Sequence, residues 1–143
     1  MQQEQPEIIV TLRNQKVQFE GMSRDNPDHP IVFDYVPPVG DGQGYKGLEL
    51  LLMSFSGCVS TAIVFLLRKS GKSIASYHME VNGIRRDQPL SLERIEARIN
   101  IGSGDVEEAD MQAVIQKAST ISPVWLSLNS NIEVDIKHNV VRG

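Results

Sequence analysis

The stretch from Leu48 to Leu67 constrains this chain more than any other feature: twenty residues with Glu49 as the only charge. From Gly47 to Ser70 there is no proline and, after Gly47, one interior glycine, Gly57. Leu48, Leu50, Leu51, Leu52, Met53, Phe55, Val59, Ile63, Val64, Phe65, Leu66 and Leu67 leave hardly any polar face. The pattern predicts a helix of about 23 residues, about 35 Å long, that must be buried on nearly every side. A bilayer buries a helix in this way, and twenty residues is the length a membrane span requires. Against that reading, Ser54, Ser56, Gly57, Ser60 and Thr61 dilute the run, and half-buried strand patterns lie on both sides of it. A central helix lying across sheets explains both. A chain of 143 residues has little else to cover such a helix, so a homodimer with its two long helices packed together is expected.

The flanking segments alternate with the period of two that marks half-buried strands. Before the helix, Ile8, Val10 and Leu12 share a face, Val17 and Phe19 follow a turn at Asn14-Gln15, and Ile31, Phe33 and Tyr35 alternate again. Three antiparallel strands are expected there. The polar run from Ser23 to Pro30 reads as a proline-bounded surface loop, and Pro37 to Gly44 ends all strand character. After the helix, Tyr77, Met79 and Val81, then Ile95, Ala97, Ile99 and Ile101, predict two strands joined through Asp87 to Pro89. Asp105 with Glu108 has capping-box spacing ahead of an amphipathic helix to about Ser119. Ser122-Pro123 reads as a second N-cap and first-turn proline, and Ile132, Val134 and Ile136 as a last strand. One domain over residues 1–143 is expected, with 7–137 as its ordered core.

Charge and cysteine usage narrow the function classes. Fourteen basic residues against eighteen acidic ones, a net charge of -4, provide no footprint for a phosphate backbone, so no nucleic-acid partner is expected. One cysteine excludes an internal disulfide framework, and His29, His78 and His138 have no metal-ligand spacing, so neither a metal nor a cofactor is expected. The start, MQQEQPE, lacks the basic and apolar segments of a signal peptide. A cytoplasmic protein, with no membrane partner, is therefore expected.

Two motifs could carry chemistry. Gly42, Gly44 and Gly47 satisfy the spacing of a dinucleotide-binding turn, but Val36 to Val39 separates them from any strand. A flexible loop leading into the helix accounts for them better. Cys58 sits in mid-helix, and its own face carries Leu51, Ser54, Phe55, Thr61, Ala62 and Phe65. Such a setting suits a thiol that acts as a small hydrophobe. A reactive thiolate there needs a cation from elsewhere, with Arg24, His29 and Lys46, of the same chain or of a partner, as candidates.

Glu49-Leu-Leu-Leu-Met53, Ser56-Gly-Cys58, Leu66-Leu-Arg-Lys69, Ser122-Pro-Val124 and Ile132-Glu-Val134 together resemble the OsmC/Ohr superfamily, over about Glu7 to Lys137. The resemblance implies an α+β, OsmC-like fold, with antiparallel sheets packed around a long central helix in an intertwined homodimer. It also implies thiol-dependent reduction of organic hydroperoxides at the dimer interface, where the helix cysteine attacks the peroxide and a second cysteine resolves the sulfenic acid. Cys58 matches the nucleophile. Ser122 stands where the resolving cysteine would be, so an external thiol reductant has to take over that step. The glutamate that the hydroperoxide-reducing branches carry ten residues before the cysteine is Leu48 here, and Glu49 resembles the YhfA-type branch. Glu49 then reads as a charge favourable to the helix dipole, and Arg24 is left as the thiolate-stabilising candidate. The expected function is a one-cysteine hydroperoxide reductase in oxidative-stress defence. The alternative is a non-catalytic dimer that binds a small hydrophobic ligand in the cleft around Cys58.

Overall fold

The computed structural model describes residue 5 and residues 7–143. Met1 to Glu4 and Pro6, on which the expectation of an N-terminus without a signal sequence partly rests, lie outside the described residues. The chain divides into two compact units, one ending at Leu51 and the other Leu52–Gly143. The secondary structure is α+β, as the alternating patterns and the long apolar run require.

The first unit is a three-stranded antiparallel sheet in the order β1 (Ile8–Leu12), β2 (Phe19–Ser23), β3 (Asn26–Phe33). The β1–β2 connection is held by Asn14, whose Oδ1 accepts the N–H groups of Lys16 at 2.9 Å and Gln18 at 3.1 Å. The expected surface loop from Ser23 to Pro30 is instead mostly strand, because Ser23 pairs with Asn26 and leaves only Arg24-Asp25 for the turn. Pro27 and Pro30 fit because β3 is an edge strand, where a missing N–H removes no necessary ladder bond. Ile8, Val10 and Leu12 remain more than half exposed in the protomer.

The chain then winds around Asp34. Its buried carboxylate accepts the backbone N–H groups of Tyr35 at 2.7 Å and Gln43 at 3.1 Å, and of Asp41 more weakly. These bonds, Gln43 foremost, hold the Asp34 carboxyl below its ordinary pKa against the opposing effect of burial. Gly44 is required for close approach: a Cβ there would stand 2.7 Å from the Val32 carbonyl oxygen. Gly42 has φ of +67°, the left-handed region that favours glycine.

Helix α1 runs Gly47–Lys69, close to the expected span. Phe55, Val59, Ile63 and Leu67 form its buried row at i, i+4 spacing. The expected burial on nearly every side does not hold in one protomer, since Met53 is 44% and Phe65 59% exposed. One chain supplies cover for one stripe of the helix. By length and composition alone α1 also meets the requirement for a membrane span.

In the second unit, β4 (Ser76–Asp87) and β5 (Leu90–Gly102) form an antiparallel hairpin longer than the alternation suggested, and β6 (Glu133–Val141) completes the order β4-β5-β6. One pairing departs from the antiparallel expectation: β6 runs parallel to β5. Helices α2 (Glu108–Ile121) and α3 (Pro123–Ser127) form the crossover that a parallel pair needs. The central strand brings Leu92, Ile95, Ala97, Ile99 and Ile101 into the core with Met111, Val114 and Ala118 of α2. The cap of α2 lies two residues beyond the expected one. Asp110 accepts the Glu107 N–H at 2.8 Å, whereas Asp105 turns back to accept the Ser73 N–H at 3.0 Å.

Candidate functional site

Cys58 is a free, half-buried thiol in the middle of α1. Phe55, one turn before it, and Val59, directly after it, are both sealed from solvent. Among the described residues the Cys58 thiol has no hydrogen-bond partner. The neighbouring hydroxyls satisfy themselves locally: Ser56 Oγ donates to the Leu52 carbonyl at 2.6 Å and Thr61 Oγ1 to the Gly57 carbonyl at 2.7 Å. A Cβ built at Gly57 meets nothing within 4 Å, so the helix surface beside Cys58 is open in the protomer.

Two further contacts fix α1 in this region. Tyr77 OH donates to Ser60 Oγ at 2.9 Å, and Ser60 Oγ donates to Met79 Sδ at 3.4 Å. Burial pushes the Tyr77 phenol above its ordinary pKa, partly countered by the bond to Ser60. Reading the sequence did not single out this chain. Its signal was available in the strand alternation that puts Tyr77 and Met79 on one face. On the other side of the helix, the Phe55 ring meets Trp125 of α3 edge to face, with centroids 5.5 Å apart.

Ser122 begins α3 and is 1% exposed. Its expected part as an N-cap holds for the backbone, with Pro123 in the first turn, but its side chain makes no cap bond. Its Oγ is buried and has no hydrogen-bond partner among the described residues. A buried hydroxyl left in that state costs about 1–3 kcal/mol. Cys58 and Ser122 lie in the second unit, and no hydrogen bond joins them.

Arg24 lies in the first unit, at the β2–β3 turn. Its Nε and Nη2 are both within 2.9 Å of the Glu7 carboxylate, and both side chains are about 60% exposed. Its guanidinium is therefore already held by a carboxylate. Glu49 accepts the Lys46 N–H at 2.8 Å, which ties it to the helix start. Gly42 and Gly44 shape the loop around Asp34. Among the described residues no three His, Cys, Asp or Glu side chains cluster so as to hold a metal ion.

The model of the OsmC-like protein family matches residues 40–137. A search of curated proteins finds no match. Among solved structures, an OsmC-like protein from Mycoplasma pneumoniae is similar with a TM-score of 0.81 at 20% identity, covering 98% of this chain and 99% of that one. A protein from Aquifex aeolicus, described as hypothetical, has a TM-score of 0.83 at 20% identity, covering 99% of each chain. The organic hydroperoxide resistance protein OhrB of Bacillus subtilis has a TM-score of 0.63 at 13% identity, covering 95% of this chain and 98% of that one.

Proposed function

The chain belongs to the OsmC-like protein family, and from that premise we propose that it is a one-cysteine, thiol-dependent reductase of organic hydroperoxides, acting in oxidative-stress defence in the cytoplasm. The observation that carries the reading is Cys58: the chain's one thiol is half-buried in the middle of α1 and set among apolar side chains. Structural neighbours named as organic hydroperoxide resistance proteins support it.

In this reading the Cys58 thiolate attacks the terminal hydroperoxide oxygen. The S–O bond forms as the O–O bond breaks, and the alkoxide takes a proton and leaves as an alcohol. Cys58 is then a sulfenic acid. Ser122 has no thiol with which to displace its hydroxyl. An external thiol attacks the Cys58 sulfur, water leaves, and a second external thiol displaces Cys58 from the mixed disulfide. The thiol is regenerated and the reductant leaves as its disulfide.

The working unit in this proposal is a homodimer. The exposed Phe65, Met53, Ile8, Val10 and Leu12 support it, since large apolar side chains in such numbers normally have a partner. The catalytic reading is tested by following cumene hydroperoxide consumption with a small monothiol as reductant. Turnover that disappears in Cys58→Ser is expected. Equal rates for the wild type and Cys58→Ser would overturn it in favour of the ligand-binding alternative.

A further inference from the structure

The β4–β5–β6 sheet keeps its apolar residues on one face, where Ile95, Ala97 and Ile99 of β5 are buried. The alternate residues Glu96 and Arg98 therefore stand on the opposite face, and the register fixes their neighbours. Arg98 pairs with Glu80 of β4 on one side and with Lys137 of β6 on the other. Glu96 pairs in the same way with Asn82 and Asp135. The result is two rows that lie two residues, about 6.6 Å, apart along the strands. These six residues, with Ala97, line an open cavity of about 280 Å³. Helix α1 packs on the other face, where Ser60 meets Tyr77 and Met79, so the cavity is separate from Cys58.

Charge pairing around this cavity is one-sided. Arg94, one row further on, gathers carboxylates: Asp135 lies 3.2 Å from its Nη2, Glu133 2.7 Å from its Nη1 and Glu96 3.8 Å from its Nε. Glu80 lies 3.4 Å from His78 Nε2. The side chains of Arg98 and Lys137 make no hydrogen bond or ion pair among the described residues, although Arg98 has Glu80 directly opposite it. Like charges opposite each other on neighbouring strands are unfavourable, and here two stand side by side with no anion between them.

The lining selects the kind of ligand. A polyanion held by Arg98 and Lys137 would face the carboxylates of Glu80, Glu96 and Asp135, and a simple cation held by those carboxylates would face Arg98 and Lys137. A molecule of both signs meets a complementary group in each row. We propose that this face of the sheet binds a small zwitterion, an α-amino acid with a short side chain. Arg98 and Lys137 donate to its carboxylate, Arg98 through two parallel N–H groups. Its ammonium group donates to Glu96 and to the Asn82 side-chain carbonyl. Ala97 is the one apolar residue of the lining, so a long apolar side chain gains nothing there.

The test follows the backbone amide resonances of the full chain by NMR, at pH 7 and fixed ionic strength, during titration with L-alanine, propionate, isopropylamine and inorganic phosphate. Saturable shifts at Asn82, Glu96, Arg98 and Lys137 are expected with L-alanine, and the other three probes are expected to bind at least about tenfold more weakly. No saturable shift with L-alanine, or binding of any other probe as tight as that of L-alanine, would overturn the proposal and leave Arg98 and Lys137 as solvated surface charge. Arg98→Gln and Glu96→Gln are each expected to weaken L-alanine binding about tenfold. Both side chains are exposed, so an unchanged melting temperature accompanies the loss. L-alanine binding that survives both substitutions intact would also overturn the proposal. Cumene hydroperoxide turnover by Arg98→Gln is expected to match the wild type, so this site and the Cys58 reading fail separately.

Discussion

Phe55 and Trp125 meet edge to face at 64°, with ring centroids 5.5 Å apart, and this contact joins the middle of α1 to α3. Phe55 is fully buried. Phe55→Leu keeps most of the volume and is expected to lose the aromatic preference, about 0.5–1.5 kcal/mol. Phe55→Ala is expected to lose about 3–5 kcal/mol through the cavity as well. Urea unfolding followed by the fluorescence of Trp125, the single tryptophan, measures both, and a shift of the folded-state emission in Phe55→Leu reports the contact directly.

Ser122→Ala separates two readings of one side chain. An N-cap serine would cost about 1 kcal/mol on truncation. The Ser122 hydroxyl makes no cap bond and is buried without a partner, so its removal is expected to leave the melting temperature unchanged or raise it. A clear drop would show that the hydroxyl has a partner.

Asp34 gives the first unit an acid limit. Folding lowers its pKa, through the N–H groups of Gln43 first and then Tyr35 and Asp41, so the folded state holds fewer protons than the unfolded chain. The stabilisation is fully present above the ordinary carboxylate value of 3.8 and is lost as pH falls through the lowered folded value. Asp105 and Asp110 add the same dependence in the second unit. Asp34→Asn is expected to lower the urea midpoint at pH 7 and to flatten its fall between about pH 4 and pH 2. An unchanged profile would contradict the role given to the carboxylate.

Gly57 tests the proposed dimer. No atom lies within 4 Å of a Cβ built there, so in a lone protomer Gly57→Ala would stabilise α1 by about 1 kcal/mol through helix propensity. If the α1 helices of two copies pack across this face, Gly57→Leu is expected to shift sedimentation from dimer to monomer. A wild-type monomer, or a dimer indifferent to Gly57→Leu, would contradict that packing.

Elements whose signal is local were legible in the sequence. The apolar run gave α1 almost to the residue, and alternation gave the strands. The Ser23 to Pro30 segment was not legible, because prolines and charges that mark a loop are equally at home on an edge strand with one side free. The parallel run of β6 is set by what α2 and α3 cross over, which no strand pattern records. The α2 cap was misplaced because Asp105 and Asp110 both fit a capping pattern, and tertiary contact with Ser73 claims the first. Around Cys58, the hydrogen bonds of Ser60 with Tyr77 and Met79 were not legible. Those depend on the pairing of distant segments.

Trapping of a Cys58 sulfenic acid tests the central claim most directly. The protein is treated briefly with one equivalent of cumene hydroperoxide in the presence of dimedone and then examined by peptide mass spectrometry. The account predicts a dimedone adduct on the Cys58 peptide that is absent without peroxide. A Cys58 peptide that stays unmodified, under conditions that oxidise a free small-molecule thiol, would contradict it.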